Sequence, residues 1–197
     1  MNKRLLYILS FFTLLSSCKN ETDSCGYAYF GGEIINPNNN HLLLYNDLES
    51  TIDTITLDKN NRFSHKIEPL NAGLYSFVHG GEYQVVVLEP NDSIMIRLNT
   101  LDFDESLVFT GKGAKKNNFL IKLFVKLESE EKKLYNLSKQ EPLVFQTKLD
   151  SLRQQKLDKL LKFKEEKVCS DMFEAVANAS INYNYYTHKE LYPFRYY

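Results

Sequence analysis

Three observations predict an α+β fold in which an antiparallel β-sandwich-like domain is followed by a helical hairpin and a third helix. From Tyr27 to Thr110 the apolar residues alternate or run in short blocks bounded by turn residues, as antiparallel strands do. At Gly111-Lys112-Gly113 the pattern changes to helical spacing. In 197 residues, 43% are hydrophobic and 13% aromatic, which is enough to bury a core and excludes disorder for most of the chain.

The first segment has the form of an export signal. Met1-Asn2-Lys3-Arg4 is a short basic start, and Leu5 to Leu15 is an apolar run about 16 Å long as a helix, short of the ~20 residues that span a bilayer. Leu15-Ser16-Ser17-Cys18 then resembles the lipobox of bacterial lipoproteins. That resemblance implies that Cys18 is alkylated by a diacylglycerol group and becomes an acylated N-terminus after cleavage, anchoring the chain to a membrane through several acyl chains. An ordinary signal peptide with a chance cysteine is the plainer alternative. Lys19 to Ser24 is polar throughout and is expected to form a solvated tether over 18–26. Lys19 and the acids after it loosely resemble the signals that send some Gram-negative lipoproteins to the cell surface. The expected place is therefore the envelope of a Gram-negative bacterium, at the outer membrane, facing either periplasm or surface.

Eight strands are expected in the next segment, 27–110. Tyr27–Ile35 is stopped by Asn36-Pro37-Asn38-Asn39-Asn40, and Leu42–Tyr45 follows. Thr51–Leu57 and Arg62–Ile67 are joined by Asp58-Lys59-Asn60-Asn61, a hairpin turn by composition. Leu74–Val78 and Tyr83–Leu88 are joined across Gly80-Gly81, whose missing Cβ permits positive φ. Glu89-Pro90-Asn91-Asp92 turns the chain into Ser93–Leu98, and Leu107–Phe109 is a last short strand.

The segment 111–197 reads as helical. Phe119, Leu120, Leu123, Phe124 and Leu127 fall at helical spacing, and Pro142 suits the first turn of a second helix, where its missing N–H costs nothing. Leu149, Leu152, Leu157, Leu160 and Leu161 are expected to line that helix's apolar face, opposite a Lys/Glu-rich one. Ser170 or Asp171 can cap a third helix through Phe173, Val176, Ala177 and Ile181, expected to end before Pro193.

Charge and chemistry exclude several functions. Twenty-four Lys and Arg against 25 Asp and Glu leave a formal charge of −1, so no basic footprint for nucleic acid exists. The 4 His are far apart, at His41, His65, His79 and His188, without metal-ligand spacing. His79-Gly80-Gly81 resembles an esterase oxyanion loop, but no Gly-x-Ser-x-Gly elbow accompanies it, so a hairpin turn is expected. Gly111-Lys112-Gly113 lacks the spacing of a phosphate loop, and Asp102-Phe103-Asp104-Glu105 lacks a calcium-loop pattern. Neither a cofactor nor a metal is expected. None of the 3 Cys forms a Cys-x-x-Cys pair. Cys25 and Cys169 can form a disulfide clipping the sandwich to the helices or stay apart as two thiols, and sequence leaves both open.

The arrangement as a whole resembles the N-terminal accessory region of TlpA-type thioredoxin-like lipoproteins. The likeness rests on the lipobox, on Glu89-Pro90-Asn91-Asp92-Ser93-Ile94, and on Phe109-Thr110-Gly111-Lys112-Gly113-Ala114 running into Asn117-Asn118-Phe119-Leu120. It continues through the helical hairpin and the tail from Ile181 to Pro193. In that family a thioredoxin domain with a Trp-Cys-x-x-Cys site follows and exchanges disulfides. Here the sequence has no Cys-x-x-Cys and no Trp, so no catalytic residue carries over. The resemblance implies an exported, lipid-anchored, non-catalytic accessory module, either a stand-alone domain or a truncated product. The alternative is an envelope lipoprotein that binds a protein or glycan, unconnected with redox chemistry.

Aromatic residues crowd the C-terminal end, with Tyr183, Tyr185, Tyr186, Tyr192, Phe194, Tyr196 and Tyr197 in one short stretch. Such rings suit an interface as well as a core. Tyr185, Tyr186, Tyr192 and Phe194 are the candidate docking surface for a thioredoxin-like domain or another envelope protein. Folding back over the sandwich is the alternative.

Overall fold

A computed structural model describes residues 26–46, 51–167 and 169–197. Eight strands come first: β1 (Gly26–Ile35), β2 (His41–Tyr45), β3 (Thr51–Thr56), β4 (Arg62–Leu70), β5 (Gly73–His79), β6 (Glu82–Leu88), β7 (Ser93–Asn99) and β8 (Val108–Lys112). A single-turn helix α1 (Phe103–Ser106) interrupts them, and three long helices follow: α2 (Ala114–Leu137), α3 (Pro142–Glu166) and α4 (Asp171–Tyr196). This is the α+β, sandwich-like architecture the sequence implies.

The strands form two four-stranded sheets, ordered β4-β1-β7-β8 and β3-β2-β5-β6. One pairing departs from the antiparallel expectation. β1 and β7 run parallel, from Tyr29 opposite Ser93 to Ile35 opposite Asn99. Between them the chain builds the whole second sheet and β4, so β7 re-enters beside β1 in the same direction. β4 is longer than expected, running through Pro69 to Leu70; as an edge strand it can lack the proline's N–H. Gly80 and Gly81 both have positive φ, as a two-residue hairpin of the I′ type requires.

Alternating residues of both sheets meet in one core, including Phe30, Ile34, Leu42, Leu44, Phe77 and Leu98, none of them solvent-exposed. Strand β6 is the exception to alternation. Val86 faces this core, while its neighbour Val87, equally buried, joins Leu120, Leu123, Leu160, Phe173 and Ala177 in a second cluster shared by the three long helices. The Val85-Val86-Val87 run is therefore apolar because both faces of the strand are covered.

Two helical expectations need correction. On α3 the buried stripe is Phe145, Leu149, Lys156 and Leu160, with Leu152 and Leu157 partly covered, whereas Leu161 is exposed. Steps of three and four from Leu149 reach Leu152, Lys156 and Leu160 and leave Leu161 to one side. Helix α4 does not stop before Pro193 but runs through it to Tyr196. Proline removes one N–H that would serve the Lys189 carbonyl, but the burial stripe of Phe173, Ala177, Ile181, Tyr185 and His188 continues to Tyr192, and packing of that last turn holds it helical.

Candidate functional site

Three of the segments on which the resemblance rests, Glu89 to Ile94, Phe109 to Ala114 and Asn117 to Leu120, come together where the sandwich meets the helices. Strands β6 and β8 are the exposed edges of two different sheets, and the first turns of α2 lie against both. Asn117 brackets Val87 of β6: its Oδ1 accepts from the Val87 N–H at 2.7 Å and its Nδ2 donates to the Val87 carbonyl at 2.9 Å. Asn118 does the same to Phe109 of β8, at 3.0 and 2.7 Å. Two consecutive side-chain amides thus stand in for the next strand on two sheets, satisfying buried edge groups at Val87 and part-buried ones at Phe109.

A charged cluster seals the same joint. Lys116 donates to Glu89 at 2.5 Å and to Asp92 at 2.6 Å, with all three side chains largely buried. Asp92 also accepts the Glu89 N–H at 2.9 Å, closing the Glu89-Pro90-Asn91-Asp92 turn. Gly113 precedes α2 with φ +91, and a Cβ there would lie 2.4 Å from the Asp92 carboxylate. Only glycine admits that carboxylate to the start of α2, where it meets the positive end of the helix. Burial pushes the Glu89 carboxyl up, but hydrogen bonds from Lys116 and Ser170 outweigh it and hold the group below the usual carboxylate range.

A hollow of about 500 Å³ opens beside the joint and reaches Cys169 and Ser170 at the start of α4. The Ser170 hydroxyl accepts the Phe173 N–H at 3.2 Å, which selects Ser170 over Asp171 as the cap. Cys169 is half-buried, with no disulfide partner among the described residues, and burial, with Glu174 beside it, raises its thiol pKa although Lys164 opposes the shift. Among the described residues the groups that disfavour the thiolate outweigh Lys164. Its candidate disulfide partner Cys25, and the lipidation candidate Cys18, lie outside the described residues.

The aromatic docking candidates divide. Tyr185 is buried against α3, its hydroxyl donating to Asp150 at 2.7 Å and accepting from Gln146 at 2.9 Å, so its ring is not available to a partner. Helical spacing puts Tyr185 in line with Ile181 on the buried stripe of α4. Tyr192 stacks on Phe145 at 4.2 Å and donates to the Gln140 carbonyl at 2.8 Å, tying α4 to the α2–α3 loop. Tyr186 and Phe194 are exposed, as are Tyr183 and Tyr197. The tail closes the end of the helical bundle, and the sandwich takes no part in this cluster.

The remaining chemical candidates have structural work. His79 is buried: its Nε2 accepts the Asn38 N–H at 3.0 Å, so its Nδ1 carries the proton and donates to the His41 carbonyl at 2.8 Å, fixing the β1–β2 turn. That role had no signal in the sequence beyond a histidine at a strand end. Asp104 on α1 accepts from Gln84 at 2.8 Å, and Phe103 beside it is buried. Among the described residues no group of three His, Cys, Asp or Glu is placed to hold a metal, and no helix is long and apolar enough to cross a membrane. Compared with protein-family models and with curated proteins, the chain matches none.

Proposed function

We propose that this chain is an exported, lipid-anchored, non-catalytic accessory module of the kind that accompanies thioredoxin-like disulfide reductases, held to the envelope through Cys18. The observation that carries the reading is the joint. The polar residues at the joint spend their hydrogen bonds inside the fold: Asn117 on Val87, Asn118 on Phe109, Lys116 on Glu89 and Asp92. Residues used in this way fasten two layers together and leave no donor or nucleophile aimed at a substrate. The raised pKa of the Cys169 thiol fits the same reading, because disulfide exchange begins with a thiolate.

Metabolic labelling with a fatty acid tests the anchor: label on the wild type and none on Cys18→Ala is expected, and equal label on both overturns it. The lack of catalysis is tested with the chain from Lys19 to Tyr197, which is expected to leave the dithiothreitol reduction of insulin at its uncatalysed rate. Catalysis lost in Cys25→Ser or Cys169→Ser overturns that part. The second reading, an envelope lipoprotein that binds a protein or glycan without redox chemistry, draws on exposed Tyr183, Tyr186, Phe194 and Tyr197.

A further inference from the structure

On the face where α2 and α3 pack together, a hollow of about 240 Å³ is lined by Phe119, Lys122, Leu123, Lys126, Lys156 and Lys159. Its composition is unusual: two apolar side chains make the floor and four lysines make the rim. Lys156 sits in the buried stripe of α3, only 8% exposed, where the helical pattern calls for an apolar residue. Its ammonium donates to Glu130 Oε2 at 2.6 Å, and Lys126 reaches the other oxygen of the same carboxylate at 3.1 Å. Burial pushes the Glu130 carboxyl up, but hydrogen bonds from Lys156 and Lys126 outweigh it, so it stays ionised well into acid.

One carboxylate therefore serves two ammonium groups. Lys122 and Lys159, on opposite walls, have no ion-pair or hydrogen-bond partner among the described residues. Lys126 and Lys156 are thus turned onto Glu130, and Lys122 and Lys159 remain as the unpaired positive charges of the rim beside an apolar floor, with Asp104 and Glu105 lining the next hollow along. Such a rim attracts an anion, and the floor rewards an apolar body attached to it; neither part alone uses the whole site. The space holds about eight waters' volume, which suits a short acyl segment and not a bulky polar ligand. We propose that this hollow binds an amphipathic carboxylate of the fatty-acid type, with its carboxylate between Lys122 and Lys159 and its chain on Phe119 and Leu123. The proposal is independent of the anchor at Cys18.

Octanoate is the probe, titrated into the chain from Lys19 to Tyr197, which contains every described element, and followed by amide NMR shifts. Saturable shifts are expected at 119–126 and 156–159, with n-octanol and inorganic phosphate each binding at least about tenfold more weakly. Lys122→Gln combined with Lys159→Gln removes two exposed charges and is expected to weaken octanoate about tenfold without changing the melting temperature. Lys115→Gln combined with Lys132→Gln, equal in charge, should bind like the wild type. The proposal is overturned if octanol or phosphate matches octanoate, if the Lys122/Lys159 variant binds as well as the wild type, or if the shifts map elsewhere. It is likewise overturned if octanoate produces no saturable shift, or if phosphatidylglycerol vesicles bind while octanoate does not, which would make the face a reader of lipid surfaces.

Discussion

The two ends of α2 are held by opposite kinds of chemistry. At its start, polar groups join the helix to the sandwich: two amides bracket two sheet edges and one ammonium bridges two carboxylates. At its far end, Leu134 and Leu137 pack with Phe145, Leu149 and Tyr185, and the stacked Tyr192 ties the bundle's last turn to the loop. The first end fixes orientation, because a bracketing amide works at one distance and angle only. The second supplies burial, which is tolerant of small shifts. Damage at the joint should therefore cost more per atom than damage at the aromatic end.

The largest effect is expected at Asn117. Replacing it with Leu keeps the volume but strands the Val87 N–H and carbonyl in a buried place, at a cost of about 4 kcal/mol for the two groups. Asn118→Ala should cost about 1 kcal/mol, since the Phe109 contact is only part-buried and water can replace the amide. Urea midpoints at unchanged slope measure both. Equal losses in the two variants would mean that the bracketing is incidental.

Next comes Lys116→Met, which leaves Glu89 and Asp92 facing each other without a cation and should cost about 2 kcal/mol. This variant also tests the acid behaviour. Glu89 and Glu130 both lie below the usual glutamate range in the folded chain, so the folded state binds fewer protons than the unfolded chain near pH ~4.3. Their contribution is complete above that range and is lost as pH falls through the lowered values. The wild-type urea midpoint should accordingly drop on acidification below about pH 4, and Lys116→Met should show a shallower drop because Glu89 has lost its main stabilising partner. An equally steep drop in the variant would remove the joint from the explanation.

How much of this was legible depended on the kind of information required. Alternation and turn residues placed the eight strands, because those signals are local, but β8 runs past the expected Phe109 through Gly111 to Lys112, the helix starts only after Gly113, and the short helix Phe103–Ser106 was not expected. The parallel β1–β7 pairing was not legible: alternation says which face a side chain takes, not which strand lies beside it. Asn117 and Asn118 stood out in the sequence only as marks of resemblance. Their work is visible only when two edges from different sheets arrive at one helix. Lys156 was hidden for the converse reason, since a charged residue on an apolar stripe reads as a break in the stripe until Glu130 is found opposite it. Tyr185 and Tyr186 are adjacent and identical in type, and only the stripe through Ile181 separates the buried ring from the exposed one.

At the aromatic end, removing residues 190–197 should cost about 1.5 kcal/mol, because it uncovers Phe145, now 2% exposed beneath Tyr192, and frees the loop at Gln140. Truncation therefore cannot test docking, since a lost partner would be confounded with a loosened bundle. Substitution of the outward rings separates the two. Phe194 is 84% exposed and Tyr186 50%, so Phe194→Ser with Tyr186→Ser should leave the urea midpoint within about 0.5 kcal/mol of wild type. If these rings dock a thioredoxin-like domain, the same double variant must weaken binding to a purified domain of that fold, because exposed aromatics at an interface lose their burial when cut back. Tyr185→Phe is the matched control: it removes the hydroxyl bonded to Asp150 and Gln146, lowers stability by about 1 kcal/mol and should not touch the binding. Unchanged binding in the double variant would remove the aromatic tail from the docking surface, leaving its stacked members as the clamp that closes the bundle.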